Sequence, residues 1–310
     1  MTESTQRNRH VVIGLGPVPL EEVETVLGAD VDFVAEPGPQ DLAVVEGAIV
    51  RAAVTVGEAE LERMPELKVI ARTGVGVDDV DVPAARRRGI PVAITPGTNT
   101  NAVAEGAFAH ILHLVKSLDP LTRLVREGRW TERSGVPVGD LEGATLGIMG
   151  YGRIGQRVAH IARAFGMEIL AYDPVAPVDP EIRAETVEEL LKGSDVVSLH
   201  LPLVEQTRNL LDRDALNIMR PGAVLINVSR GGIVDEDALL EALEEGRISG
   251  AGLDAFDPEP TQDHPLYHHP NTVLTPHVMG LSKNAASATF HDAAVAVRAV
   301  LDGGQPAAVA

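Results

Sequence analysis

Cysteine is absent from this 310-residue chain. Its absence excludes disulfides, thiol nucleophiles and zinc–thiolate sites. No apolar run approaches the roughly 18 residues of a membrane span. Met1–His10 is polar and lacks the hydrophobic stretch of a secretory signal. The expectation is a cytoplasmic protein with a frayed N-terminal tail. Basic residues are scarce: 26 Lys and Arg stand against 45 Asp and Glu, a net charge of −19. So acidic a surface argues against nucleic acid and anionic membranes as partners. It also repels small anions, so an anionic ligand needs local arginines that outweigh the background. Internal repeats and low-complexity linkers are missing as well. With 45% hydrophobic residues, the chain has enough core for two domains.

The most informative segment is Thr145-Leu-Gly-Ile-Met-Gly150-Tyr-Gly152-Arg-Ile-Gly155. Thr145 to Met149 reads as a buried strand. Arg153 to Phe165 carries Ile154, Val158, Ile161, Ala162 and Phe165 at helical spacing. A second strand then ends in Asp173, at the separation from Gly155 that a dinucleotide-binding unit requires. In such a unit Gly150 makes the tight turn, Gly152 lets a pyrophosphate approach the backbone, and Gly155 packs helix on strand. The helix N-terminus attracts the phosphates. Asp173 accepts from the ribose hydroxyls and repels a 2′-phosphate, with no Lys or Arg in residues 173–177 to offset it. The implied cofactor is NAD rather than NADP.

Short β-like runs alternate with amphipathic segments along the whole chain, which implies parallel sheets with right-handed crossovers. Strands are expected at 11–15, 48–50, 68–71, 91–94, 145–149, 169–172, 196–199, 224–228, 250–253 and 273–275. Helices are expected at 80–88, 101–118, 235–245 and 282–301. The glycine motif falls in mid-chain, so the dinucleotide domain is placed at 97–281. The second α/β domain is then 1–96 completed by 282–310, with a ligand cleft between the two.

Three segments after expected strands carry chemistry: Asn227-Val-Ser-Arg230-Gly, Asp254-Ala-Phe-Asp-Pro-Glu259-Pro, and Thr275-Pro-His277. Strand C-terminal ends are where open α/β sheets bind ligands. A cation, a carboxylate and an imidazole are what oxidation of a hydroxyl by hydride transfer needs. Taken singly, each has a plainer reading. Arg230 could cap a strand end, Asp-Pro-Glu-Pro could be an ordinary turn, and His277 a hydrogen-bonded loop histidine. His264, His268, His269 and His277 cluster, but Pro265 and Pro270 interrupt them, so a metal site is not expected. Gly14-Leu-Gly16 lacks a third glycine and reads as a loop. Glu58–Glu66 and Glu241–Glu245 read as solvated helix faces. Trp130 is expected in a dimer-forming or cleft region.

Nearly end to end, the chain resembles the D-isomer-specific 2-hydroxyacid dehydrogenases. The resemblance rests on Gly74-Val-Gly-Val-Asp-Asp-Val-Asp81, the glycine motif, Val197-Ser-Leu-His-Leu-Pro202, Asn227 to Asp235, Asp254 to Pro260 and Thr275-Pro-His277. It implies a Rossmann domain joined to a flavodoxin-like substrate domain, and a homodimer formed through the former. It makes Arg230 the substrate-binding cation, His277 the acid/base, Glu259 its carboxylate partner, and Asp254 a contact of the nicotinamide amide. Arg153, Ile154, His200, Pro202, Thr207 and Val228 join the cofactor-binding residues. The amides of Gly74, Val75 and Gly76 would receive the carboxylate of a small anionic 2-hydroxy or 2-oxo acid.

Segments around Arg51 and Arg72 are similar to those that bind the substrate phosphate in 3-phosphoglycerate dehydrogenases. Lys116 matches another basic position less closely. The alternative is that Arg51 and Arg72 pair with Asp78, Asp79 or Asp81. The chain ends soon after the last helix, so no regulatory serine-binding domain is expected. A chain this short also fits glyoxylate or hydroxypyruvate reductases. Corepressors of the same fold, which sense NAD without turnover, are a further alternative.

Overall fold

The computed structural model describes residues 9–52 and 54–310. The expected frayed tail, apart from Arg9 and His10, and Ala53 in the Arg51 segment lie outside the described residues. The chain forms two compact units, Met1–Asn99 with Ser282–Ala310, and Thr100–Leu281.

In chain order, the first unit contains β1 (His10–Leu15), α1 (Leu20–Leu27), β2 (Val31–Val34), α2 (Pro39–Leu42), β3 (Gly47–Val50), α3 (Glu58–Glu62), β4 (Val69–Arg72), α4 (Val82–Arg87) and β5 (Val92–Ala93). The second contains α5 (Thr100–Val115), α6 (Leu118–Arg126), β6 (Thr145–Met149), α7 (Arg153–Ala164), β7 (Glu168–Tyr172), α8 (Val187–Gly193), β8 (Val196–Leu199), α9 (Arg213–Ile218), β9 (Ala223–Asn227), α10 (Glu236–Glu244), β10 (Ile248–Leu253) and β11 (Thr272–Leu274). The chain then returns to the first unit as α11 (Lys283–Leu301).

The first unit's sheet runs β2-β1-β3-β4-β5, all parallel, the flavodoxin-like order. α11 lies on one face, where Phe290, Ala293 and Val297 pack with Val12, Ile49 and Val69. Gly47 permits this, because a Cβ there would stand 2.7 Å from Val297. β2 was not among the expected strands. It is a four-residue edge strand broken by exposed Asp32, too short to carry a pattern. β5 is shorter than the expected 91–94. The final residues pair with that edge: Ile94 N–H donates to Ala308 O and Ala310 N–H to Val92 O.

The second unit's sheet runs β11-β10-β9-β8-β6-β7, also all parallel. Its strands β8, β9 and β10 are buried almost throughout, as a sheet covered on both faces demands. Strand order reverses between β6 and β8, the switch point at which such sheets bind ligands. Two strands, not three, lie on the β6 side of that reversal. The helix expected over 101–118 instead breaks at Ser117, which adopts φ 52° and donates through Oγ to Pro137 O at 2.5 Å. Trp130 is 61% exposed, with the Arg133 guanidinium 5.3 Å from its ring centroid.

Candidate active site

The glycine turn joins β6 to α7 at the switch point. Gly150 has φ 94°, and a Cβ on it would overlap the His200 carbonyl at the end of β8. Gly155 abuts the Gly150 carbonyl, so α7 starts hard against the turn. At Gly152 a Cβ would meet nothing within 4 Å. The backbone is therefore open where a diphosphate must approach, and the residues present fit a dinucleotide. Arg153 and Ile154 form the first turn of α7.

Asp173 follows β7 as expected, and it has a second task. Its Oδ2 accepts from Tyr151 N–H at 2.7 Å, and its Oδ1 from Val175 and Ala176 N–H at 2.8 and 2.7 Å. The carboxylate thus latches the glycine turn to the end of β7. Of about four lone-pair sites on a carboxylate, one is left for a ribose hydroxyl. Across the switch point, His200 Nε2 lies 2.9 Å from Ser198 Oγ. Burial pushes the His200 imidazole down to about 3, so it stays neutral. Thr207 Oγ1 donates to Pro202 O at 2.7 Å and accepts from Val204 N–H, which shapes the loop after β8. Val228, just past β9, is buried.

Arg230, Glu259 and His277 come together in this unit. Asn227, 1% exposed at the end of β9, builds the turn beneath Arg230. Its Nδ2 donates to Arg230 O at 2.8 Å, and its Oδ1 accepts from Ser229 N–H and Oγ. Glu259 Oε1 accepts from Phe256 N–H at 2.9 Å, and its Oε2 lies 2.7 Å from His277 Nδ1. The two loops carrying Arg230 and Glu259 touch through Gly231, where any Cβ would overlap the Phe256 carbonyl. The role of that glycine was not foreseen. It follows from a close approach between loops far apart in sequence.

The electrostatics agree with the geometry. The Glu259 hydrogen bond raises the His277 pKa above the ordinary imidazole value, against burial and the nearby Arg230 charge. Burial pushes the Glu259 carboxyl up, but the His277 and Phe256 hydrogen bonds and the charges of His277 and Arg230 hold it lower overall. Arg230 acts on both partners, so all three charges share one locale. With Nδ1–H donated to Glu259, His277 keeps Nε2 as the nitrogen that exchanges a proton. Asp254 is 2% exposed. Its carboxylate accepts from Thr275 Oγ1 at 2.6 Å, Val278 N–H at 3.0 Å and Met279 N–H at 3.1 Å.

The first unit holds the other expected anion-binding residues. Arg72, expected at a phosphate, also has a structural task. The residue is 5% exposed, its Nε donates to Gly76 O at 2.9 Å, and its Nη1 donates to the Arg51 and Val50 carbonyls. It braces the loop between β4 and α4. Gly74 N–H is also engaged, by Thr95 Oγ1 at 2.8 Å, which leaves the Val75 and Gly76 amides without an acceptor among the described residues. Arg51 lies over Phe290, 5.2 Å from the ring centroid, and burial lowers its pKa. Among the described residues no carboxylate pairs with it. Lys116 is held in the second unit by Gly139 O and Asp140.

A family model described as D-isomer specific 2-hydroxyacid dehydrogenase, NAD binding domain, matches residues 108–279. That range holds the glycine turn, Asp173, Arg230, Glu259 and His277. The D-3-phosphoglycerate dehydrogenase of Mycobacterium tuberculosis is 38% identical over 286 residues, 91% of this chain and 53% of its own length. The hydroxypyruvate reductase of Thermotoga maritima is 40% identical over 238 residues, 76% of this chain and 78% of its own. Among solved structures, the TT0316 protein of Thermus thermophilus superimposes with a TM-score of 0.89 at 36% identity, over 96% of this chain and 99% of that one. The chain spans about half the length of the curated phosphoglycerate dehydrogenases it matches.

Proposed function

Because this chain belongs to the D-isomer specific 2-hydroxyacid dehydrogenases and carries their NAD-binding domain, we propose that it interconverts a D-2-hydroxy acid and its 2-oxo acid. The observation that carries the reading is the Glu259–His277 pair, 2.7 Å apart beside the charge of Arg230. A protein of this fold that only senses the dinucleotide would bind NADH but show no turnover of it with 3-phosphohydroxypyruvate or hydroxypyruvate. Bound NAD supplies the hydride acceptor. The chain supplies the rest. His277 Nε2 takes the hydroxyl proton as the substrate is oxidised, and returns it in reduction. Glu259 stabilises the imidazolium that this transfer creates. Arg230 holds the substrate carboxylate and polarises the oxygen that becomes a carbonyl. In the first unit, the Val75 and Gly76 amides, without an acceptor among the described residues, are donors suited to an anion.

For the substrate we favour 3-phosphoglycerate, with Arg51 recognising the phosphate. Arg51 is a partly desolvated cation in a chain of net charge −19, and no carboxylate satisfies it among the described residues. The inward commitment of Arg72 favours a second reading, an unphosphorylated substrate such as hydroxypyruvate. Arg51→Met separates them. It should raise KM for 3-phosphoglycerate by roughly 10- to 150-fold, the loss of one charge-assisted contact of about 1.5–3 kcal/mol. Turnover of hydroxypyruvate should change little. Equal losses on both substrates, or a parent enzyme inert to 3-phosphoglycerate, would establish the second reading.

A further inference from the structure

His277 occupies the left-handed region, with φ 52°, which a residue with a side chain adopts only when its surroundings hold it there. The Asp254 carboxylate holds it. It grips the amides of Val278 and Met279 on one side of His277 and the hydroxyl of Thr275 on the other. A further group stands behind this clamp. His110, on α5, is 2% exposed, and its Nε2 lies 3.2 Å from Thr275 Oγ1.

Proton counting gives the contacts a direction. Thr275 has one hydroxyl proton, and the 2.6 Å contact commits it to Asp254, which accepts in all its contacts. His110 must therefore donate Nε2–H to Thr275 Oγ1. Its Nδ1 faces the Gly252 backbone, which favours a proton on the ring, but makes no hydrogen bond of good geometry among the described residues. Gly252 of β10 makes room for this ring: a Cβ there would stand 2.9 Å from Nδ1. The groups that bear on the ring are few. Burial disfavours a second proton, as does His113 on the same helix, while Asp254 and the Gly252 backbone favour one. Burial is the largest of these, and the ring's affinity for a proton is lowered.

We propose that His110 is a positioning residue for the His277 acid/base, acting through Thr275 and Asp254. Nothing in the dehydrogenase chemistry asks for an imidazole inside α5. Its hydrogen bond to Thr275 Oγ1 orients the threonine hydroxyl toward the carboxylate. The proposal rests on the dehydrogenase reading for its kinetic consequence, but not for its structural one.

The test compares His110→Leu, which removes the donor, with His110→Gln, whose terminal amide can restore it. With NADH and hydroxypyruvate, His110→Leu should lower kcat roughly 10-fold, the scale of one broken buried hydrogen bond, while NADH affinity stays within about twofold. By NMR on the unliganded protein, the His277 ring should titrate nearer the ordinary imidazole value in His110→Leu. His110→Gln should recover both readouts. Thr275→Val and Thr275→Ser form a second pair with the same expected contrast, should His110→Leu not fold. Parent-like turnover and His277 titration in both His110→Leu and Thr275→Val would overturn the proposal. So would a glutamine variant no better than the leucine variant at equal Tm. If the parent shows no dehydrogenase activity, the functional reading fails and the His277 titration alone decides the positioning role.

Discussion

Replacing Glu259 by Gln should move the pH dependence of both reaction directions, with opposite consequences for rate. The carboxylate raises the His277 pKa through a 2.7 Å hydrogen bond and its charge. A fully buried charge-assisted hydrogen bond is worth about 1.5–3 kcal/mol. Here the side chains are 46% and 36% exposed, so solvent screens the pair. Discounting by about half leaves about 0.75–1.5 kcal/mol, a factor of roughly 3 to 13 in proton affinity. Reduction of the oxo acid requires protonated His277, so kcat falls as pH rises through its pKa. In Glu259→Gln that limb should shift to lower pH, and on the alkaline side the rate should drop roughly 3- to 13-fold. Oxidation requires neutral His277, so its rising limb should shift the same way, giving relatively more activity in acid. Folding stability carries the same signature. A raised histidine stabilises the fold below about pH 6.5 and loses that contribution as pH climbs through its folded value. The lowered Glu259 stabilises above about pH 4.3 and loses its contribution as pH falls through its folded value. Parent and variant should therefore differ most between about pH 4.5 and 6.5 and differ less in alkali, where the His277 contribution is lost and only that of Glu259 remains. The assay is kcat against pH in both directions, followed by NADH absorbance. Limbs that stay in place, or move to higher pH, would refute the assigned pair.

Asp173→Ser should relax cofactor choice, raising kcat/KM with NADP relative to NAD by at least about 10-fold, since one full charge facing the 2′-phosphate is gone. The substitution should also lower Tm, because the carboxylate holds Tyr151, Val175 and Ala176 amides. An unchanged NADP/NAD ratio would contradict the ribose assignment. Gly231→Ala should cut kcat at least about 100-fold without weakening NADH binding much, because the new methyl displaces the Phe256 carbonyl and with it Glu259; a near-normal kcat would show that the two loops are not held in register there. His200 should remain neutral from about pH 5 to 8, so NMR should detect no titration of its ring in that interval.

The dinucleotide unit was legible because its signal is local. One strand, a glycine turn, a helix and a terminal acid follow one another in less than thirty positions. The Arg230, Glu259 and His277 assignments came from motifs at strand ends, and the geometry joins them. What the sequence could not display were roles created by distant contacts. Arg72 looks like an exposed ligand in Ile-Ala-Arg-Thr-Gly, yet the carbonyls of Val50, Arg51 and Gly76 draw it inward. Gly231 looks like one more turn glycine until the Phe256 carbonyl is seen against it. Strand β2 and the break at Ser117 escaped for another reason: four residues at a sheet edge, and one residue in a left-handed conformation, leave almost no periodic trace.

His277 is the proton carrier of the proposed hydride transfer. The most direct test of this role is the steady-state oxidation of NADH with a panel of 2-oxo acids, hydroxypyruvate and 3-phosphohydroxypyruvate included, by the parent and by His277→Ala. The parent should turn over at least one of them. His277→Ala should lose about 10²–10⁴-fold in kcat while binding NADH with nearly parental affinity. Normal turnover by His277→Ala, or a parent that binds NADH and reduces none of the acids, would contradict it.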